Sequence, residues 1–293
     1  MKKKIVGIFV CMLMIATLAI PISALNNDVK LENKAISRVA DVPTWKVGDS
    51  WTYNTHIYIA ASANITDDMV VDVTGELIFE VVDDTGDIYK LEGLMKPMHG
   101  IIDLPGNIDM RMTRFSSYKS ILEIQKTNLS LVKHELIMKG IVFLTLGPIS
   151  LPIPIQIQKY RTSEFEPMWE IFPFPLFDGK TGDYENCSLI EEFRVSMFWG
   201  LIPINSGNIS HVIVGNGPYE CNEDTITVEA GTYDVFNISC IVDYGPYVQD
   251  RFFSNYAEDV GNIAQGLYHL DYGATGNTYF LIELELKSTT YEP

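Results

Sequence analysis

Five histidines, at positions 56, 99, 134, 211 and 269, are the first residues to weigh for acid–base or metal chemistry, and none has a partner at ligand spacing. His134-Glu135-Leu136-Ile137-Met138 begins like the H-E-x-x-H zinc helix, but methionine stands where the second histidine is needed, so no zinc site follows. The chain has no G-x-S-x-G elbow to expose a nucleophilic serine. It also lacks a glycine-rich loop opening a helix to cradle phosphate. Carboxylates are plentiful, and Glu191-Glu192 or Glu283 with Glu285 could in principle serve as a glycosidase-like pair. Glu283 and Glu285 alternate with Ile282, Leu284 and Leu286, which reads as the solvated face of a strand. Two acidic turns, Asp83/Asp84/Asp87 and Asp178/Asp183/Glu185, lack the spacing of a calcium loop and read as solvated turns. No catalytic residue, metal or cofactor is therefore assigned, and the chain is expected not to be an enzyme.

Composition sets the setting for these residues. Lys2-Lys3-Lys4, an apolar run from Ile5 to Ile20 and the small-residue end Pro21-Ile22-Ser23-Ala24 form a secretory signal peptide over residues 1–24. Cleavage after Ala24 is expected, with a retained N-terminal anchor as the alternative. Removing three lysines and no acid takes the net charge from −17 to −20. Such a surface repels nucleic acid and anionic lipid headgroups. Hydrophobic residues at 47% and aromatics at 11% exclude a disordered chain. Five N-x-S/T sequons, at Asn64, Asn128, Asn186, Asn208 and Asn237, fit a secreted or cell-surface glycoprotein.

The elements that must carry these residues read as strands. Residues 25–44 are a polar, flexible leader, and order begins at W-K-V-G-D-S-W-T-Y, residues 45–53. Alternating runs at 69–82, 88–91, 96–104, 107–115, 188–198, 208–214, 247–256, 263–272 and 278–288 predict further short strands. Residues 118–139 fit either one helical face or two strands, and the turn signal at Thr127-Asn128 favours two strands. Pro148, Pro152 and Pro154 argue against a membrane helix or a central strand in the apolar stretch 141–158. A faint repeat, Gly48-x-x-Trp51-x-Tyr53 against Gly179-x-x-Gly182-x-Tyr184, divides the β domain 45–293 into two related halves, 45–165 and 166–293.

Residues 225–242 predict a β-hairpin turning at Glu229-Ala230-Gly231-Thr232. Centred between Ala230 and Gly231, it opposes residues whose numbers add to 461, which places Cys221 face to face with Cys240 and predicts a disulfide. That register splits the apolar residues between both faces; a bulge at Gly231 would regroup them and leave the cysteines diagonal.

V-G-D-S-W-T-Y and T-V-E-A-G-T-Y-D resemble motifs of uncharacterised secreted β-sheet proteins common among archaea, with Glu229 where those proteins usually carry proline. More distantly, the chain is similar to lipoprotein carriers of the LolA/LolB type, and K-T-N-L-S-L-V at 126–132 resembles a hairpin of such sheets. The resemblance implies a curved antiparallel sheet around an apolar cavity and implies no activity. The expectation is a mostly-β half-barrel of long twisted strands that binds a lipid or other apolar small molecule, with Met95, Met98, Met110 and Met112 on its concave side. A cell-surface structural or adhesion domain with a packed interior is the alternative, and a secreted hydrolase the third reading.

Overall fold

Period-two alternation of apolar and polar residues makes strands of nearly the whole chain. The structure, a computed structural model, describes residues 38–293 except 63–67, 97–98, 105–107, 147–152, 185–186, 198–201, 215–216, 244–247 and 273–277. In chain order the strands are β1 (Val39–Ala40), β2 (Ser50–Ser62), β3 (Asp68–Thr85), β4 (Ile88–Met95), β5 (His99–Leu104), β6 (Ile108–Gln125), β7 (Leu131–Leu146), β8 (Ile153–Trp169), β9 (Leu176–Phe177), β10 (Lys180–Tyr184), β11 (Cys187–Met197), β12 (Ile202–Val214), β13 (Gly217–Val228), β14 (Gly231–Asp243), β15 (Val248–Ala257), β16 (Asn262–Tyr272) and β17 (Thr278–Thr289). A single 3-10 turn, Glu258–Val260, joins β15 to β16.

Fifteen of these strands form one curved antiparallel sheet in the order β10-β13-β14-β15-β16-β17-β2-β3-β4-β6-β7-β8-β11-β12, with β5 beside β3 and β6. No single ladder closes it into a barrel. Its two ends are instead two parts of one long hairpin. Tyr184 faces Gly217 in β10–β13, and Cys187 faces Val214 in β11–β12, so the two pairs keep the same register across the junction. One part of that hairpin bonds to β8 through β11, and the other bonds to β14 through β13.

The inward face is apolar. Trp51, Val81, Leu91, Ile124, Phe165, Ile238, Tyr256 and Leu286 are all buried in one cluster that reaches across the sheet. The motif at 45–53 anchors its base. The Trp45 indole N–H donates to Gly261 O and the Trp51 indole N–H to Val260 O, each at 2.8 Å, and the two rings lie 5.1 Å apart. Gly261 closes the 3-10 turn at φ +64°, a conformation that favours glycine. The short β1–β9 ladder packs over the same end, where Phe172 and Phe174 meet the Tyr256 ring at 5.3 and 5.2 Å. The stretch expected to be a flexible leader through residue 44 is thus held from Val39 onward, with Arg38 lying 4.3 Å over the Phe236 ring.

Residues 118–139 are two strands. Thr127 and Asn128 turn between β6 and β7, where Asn128 Oδ1 accepts from the Ser130 N–H. Pro154 lies inside β8, opposite Phe143.

The hairpin at 225–242 corrects two expectations. Val228 faces Gly231 across a two-residue turn, Glu229-Ala230, and no bulge interrupts the ladder. Cys221 therefore opposes Ile238 and Cys240 opposes Tyr219. The cysteines share a face but sit diagonally, roughly 7–8 Å apart for such neighbours, and no disulfide joins them. The supposed register conflict dissolves because both faces of the hairpin are buried. Cys221, Phe236 and Ile238 point into the interior, while Val228 and Val235 are covered on the other side, where the tip leans onto β17 and the Ala230 N–H donates to Leu286 O.

Two outcomes are expected. Burial pushes the Cys221 thiol up to about 11, so Cys221 and Cys240 should resist a thiol reagent in the folded protein and react after denaturation; a Cys221–Cys240 crosslinked peptide from native protein would overturn this. Thr55 Oγ1 is buried without a hydrogen-bond partner among the described residues, so Thr55→Val should raise stability by about 1 kcal/mol in chemical denaturation.

Candidate functional site

Opposite the apolar face, the same strands carry polar rows. The pairing places Asn237, Asn255, Gln265, Glu285, Asn54 and Glu76 side by side across β14, β15, β16, β17, β2 and β3. The next row runs Phe253, Leu267, Glu283, His56 and Thr74. Gln265, Glu285, Asn54 and Glu76 of the first row and all of the second line an open cleft of about 640 Å3, completed at one end by Lys96.

The polar groups hold one another. Asn237 Nδ2 donates to Asn255 Oδ1 at 2.7 Å, and Asn255 Nδ2 donates to Gln265 Oε1 at 3.1 Å. Glu229, brought over by the hairpin tip, accepts from Asn54 Nδ2 at 2.6 Å, and its backbone N–H donates to Glu285 Oε1 at 3.0 Å. Glu76 bonds Lys287 and Lys96, each at 2.6 Å. His56 is held at both ring nitrogens, by Glu283 at 2.9 Å and Asp72 at 3.0 Å.

Protonation states follow from these partners. The Glu283 hydrogen bond, followed by contributions from Asp72, raises the His56 pKa above its ordinary value against the opposing effect of burial. Lys287 and then Lys96 hold the Glu76 carboxyl down to about 2. A carboxyl acting as general acid at neutral pH needs the reverse, a pKa raised by an apolar surround. Glu76 is built as an ionised acceptor.

A second polar group lies on the inward face. Ser120 Oγ is 2.8 Å from His134 Nε2, and Arg161 Nε donates to Ser163 Oγ at 2.8 Å. The Ser–His contact has the reach of a nucleophile and its base. Ser120 is only 2% exposed, however, and packs against Gly93, where even an added Cβ would come within 3.0 Å of its own Cβ. Burial, helped by Arg161, lowers the His134 pKa to about 4, so its imidazole is neutral at physiological pH. Ser120 and the half-buried His134 thus satisfy one another beside Gly93.

The residues singled out in the sequence are distributed unevenly. Glu283 and Glu285, read as a solvated strand face, both line the cleft, and His56 joins them. Met95 is half-buried on β4, Met98 lies outside the described residues, and Met110 and Met112 are located by backbone on β6, opposite Leu144 and Val142. Among the sequons, Asn64 and Asn186 fall outside the described residues, Asn128 stands in the β6–β7 turn and Asn208 on β12 opposite Glu192. Asn237 belongs to the polar row. Residues 1–24, read from the sequence as a signal peptide, also lie outside the described residues. Among the described residues no group of acids, histidines and cysteines is arranged to hold a metal, and no helix is long and apolar enough to cross a membrane. Sequence reasoning missed Asn54, Glu76, Phe253, Asn255 and Gln265, because nothing within any one strand marks them. No protein-family model, curated protein or solved structure matches this chain.

The two histidines pull stability in opposite directions. The folded pKa of His56 lies above the ordinary 6.5, so its contribution is complete below that value and is lost as pH rises through the folded pKa. His134 titrates near 4 when folded against 6.5 when unfolded, so stability falls as pH drops between those values. Urea midpoints between pH 4 and pH 9 should pass through a maximum. His56→Gln should flatten the alkaline side and His134→Gln part of the acid side; unchanged profiles would refute both assignments.

Proposed function

We propose that this chain is an exported, non-catalytic binding module and that the cleft over β2, β3, β15, β16 and β17 receives its ligand. One observation carries this reading. Side chains with spare hydrogen-bonding capacity converge on an open cleft and are fixed in place by each other, which lowers the entropy lost when a ligand is ordered against them. The basic start and apolar run of the N-terminal segment support export.

The lining supports a polar ligand with one apolar edge in place of the lipid or other apolar cargo expected from the sequence. The inward face at the base is filled by Trp45, Trp51, Phe172 and their neighbours, whereas the open cleft is lined by Asn54, His56, Glu76, Gln265, Glu283 and Glu285 against Phe253, Leu267 and Leu284. The same filled base favours, as a second reading, a structural domain of the cell surface that acts through its outer faces.

Native mass spectrometry of protein purified from its own host separates the two. The binding reading expects a discrete extra mass that disappears on denaturation and is diminished in Phe253→Ala. A clean apo mass from wild-type protein in every preparation would favour the structural domain.

A further inference from the structure

We infer that the ligand of the cleft is a neutral carbohydrate chain laid across the strands. The inference rests on the binding reading above and names its substrate class.

The first argument is the hydrogen-bond inventory. A sugar hydroxyl donates one bond and accepts others, so a surface that recognises several of them must offer both functions at short intervals. Asn and Gln amides do this with two N–H groups and two lone pairs each, and carboxylates supply strong acceptors beside them. Along the cleft, Gln265, Glu285, Asn54 and Glu76 place such groups on four neighbouring strands, β16, β17, β2 and β3. Behind them Asn255, 3% exposed, holds Gln265 by donating to its Oε1 at 3.1 Å.

Spacing is the second argument. Neighbouring strands lie ~4.8 Å apart, close to the length of one pyranose unit, so a chain lying along the row meets a new polar side chain at nearly every ring. Phe253 and Leu267 begin the adjacent row, and an aromatic ring beside polar groups suits the C–H face of a sugar. A volume of about 640 Å3 accommodates a few such units.

Charge decides against other polar ligands. Glu76 is paired with Lys96 and Lys287, and Glu283 and Asp72 with the His56 ring; Glu285 accepts the Glu229 N–H, and the Glu229 carboxylate accepts from Asn54. A polyamine or basic peptide would find these carboxylates already engaged. The chain's overall charge of −17 repels an anionic polymer. A neutral, hydroxyl-rich ligand fits both conditions.

The test is isothermal titration of the full-length chain with neutral hexaoses of glucose, mannose, galactose, xylose and N-acetylglucosamine, alongside spermine and a polygalacturonate oligomer. The expected result is saturable binding to at least one neutral hexaose, nearly unchanged between low and high salt, and about tenfold weaker in Gln265→Ala and in Phe253→Ala, the loss of one hydrogen bond or ring contact. Circular dichroism checks that each variant folds, and Glu285→Gln, which keeps the side-chain shape, supplies a milder third variant. Binding that survives all three substitutions overturns the assignment of the cleft. Steeply salt-dependent binding of spermine or polygalacturonate, with none of the hexaoses, overturns the sugar. No hexaose bound while host-purified protein carries another discrete mass sinks the carbohydrate and leaves the binding reading standing; no hexaose and no mass sinks both.

Discussion

Register, held without interruption from β14 to β3 at the height of the cleft, is the constraint on which the rest of this structure depends. Side chains in a strand alternate faces with period two, so one slipped residue exchanges the inside for the outside. The ladder does slip in this region, between Asn255 and Tyr256 and between Leu286 and Ser288. Both slips fall on the side of the cleft nearer the base. Past them, six strands keep step, and the amides and carboxylates of separate segments meet in one line on the outer face while Ile238, Ser254, Gly266, Leu284 and Thr55 meet in another on the inner. The polar row and the apolar core are two faces of the same alignment, so disturbing either moves both.

The ends of the sheet pose a different problem, since unpaired edges invite association. The two edge strands are short of one partner each among the described residues, β10 pairing with β13 and β12 with β11. The strands beside them are bonded on both sides, β11 also to β8 and β13 also to β14. At the base, two tryptophans close the bottom by donating to the carbonyls of the 3-10 turn. Their bulk fills space and their N–H groups satisfy backbone acceptors that would otherwise be buried unpaired.

Much of the fold was legible in the sequence because alternation and turn chemistry are local. The run after Gly48, the turns at Gly86 and Gly231 and the break at Thr127-Asn128 all mark real boundaries, and all three glycines hold positive φ. The cysteine pairing was not legible. It required knowing which two residues make the turn, Glu229-Ala230 or Ala230-Gly231, since a register shift of two preserves every face while carrying Cys240 from opposite Cys221 to opposite Tyr219. The burial of both hairpin faces was equally hidden, since the residues that cover Val228 and Val235 lie far away in sequence. The site was least legible of all. Each strand contributes one ordinary polar residue to the row, and Glu283 with Glu285 looks like any solvated strand until β2 and β16 are placed beside it.

The bond from Asn237 to Asn255 also bears on how that side chain can be modified. Asn237 is at once a glycosylation acceptor by sequence and the first member of the polar row, and both roles use the same nitrogen. An amide nitrogen carries two hydrogens, and the bond to Asn255 Oδ1 uses one of them. A glycan on Asn237 would take the other, so the row and a sugar would share one nitrogen and fix its rotamer between them.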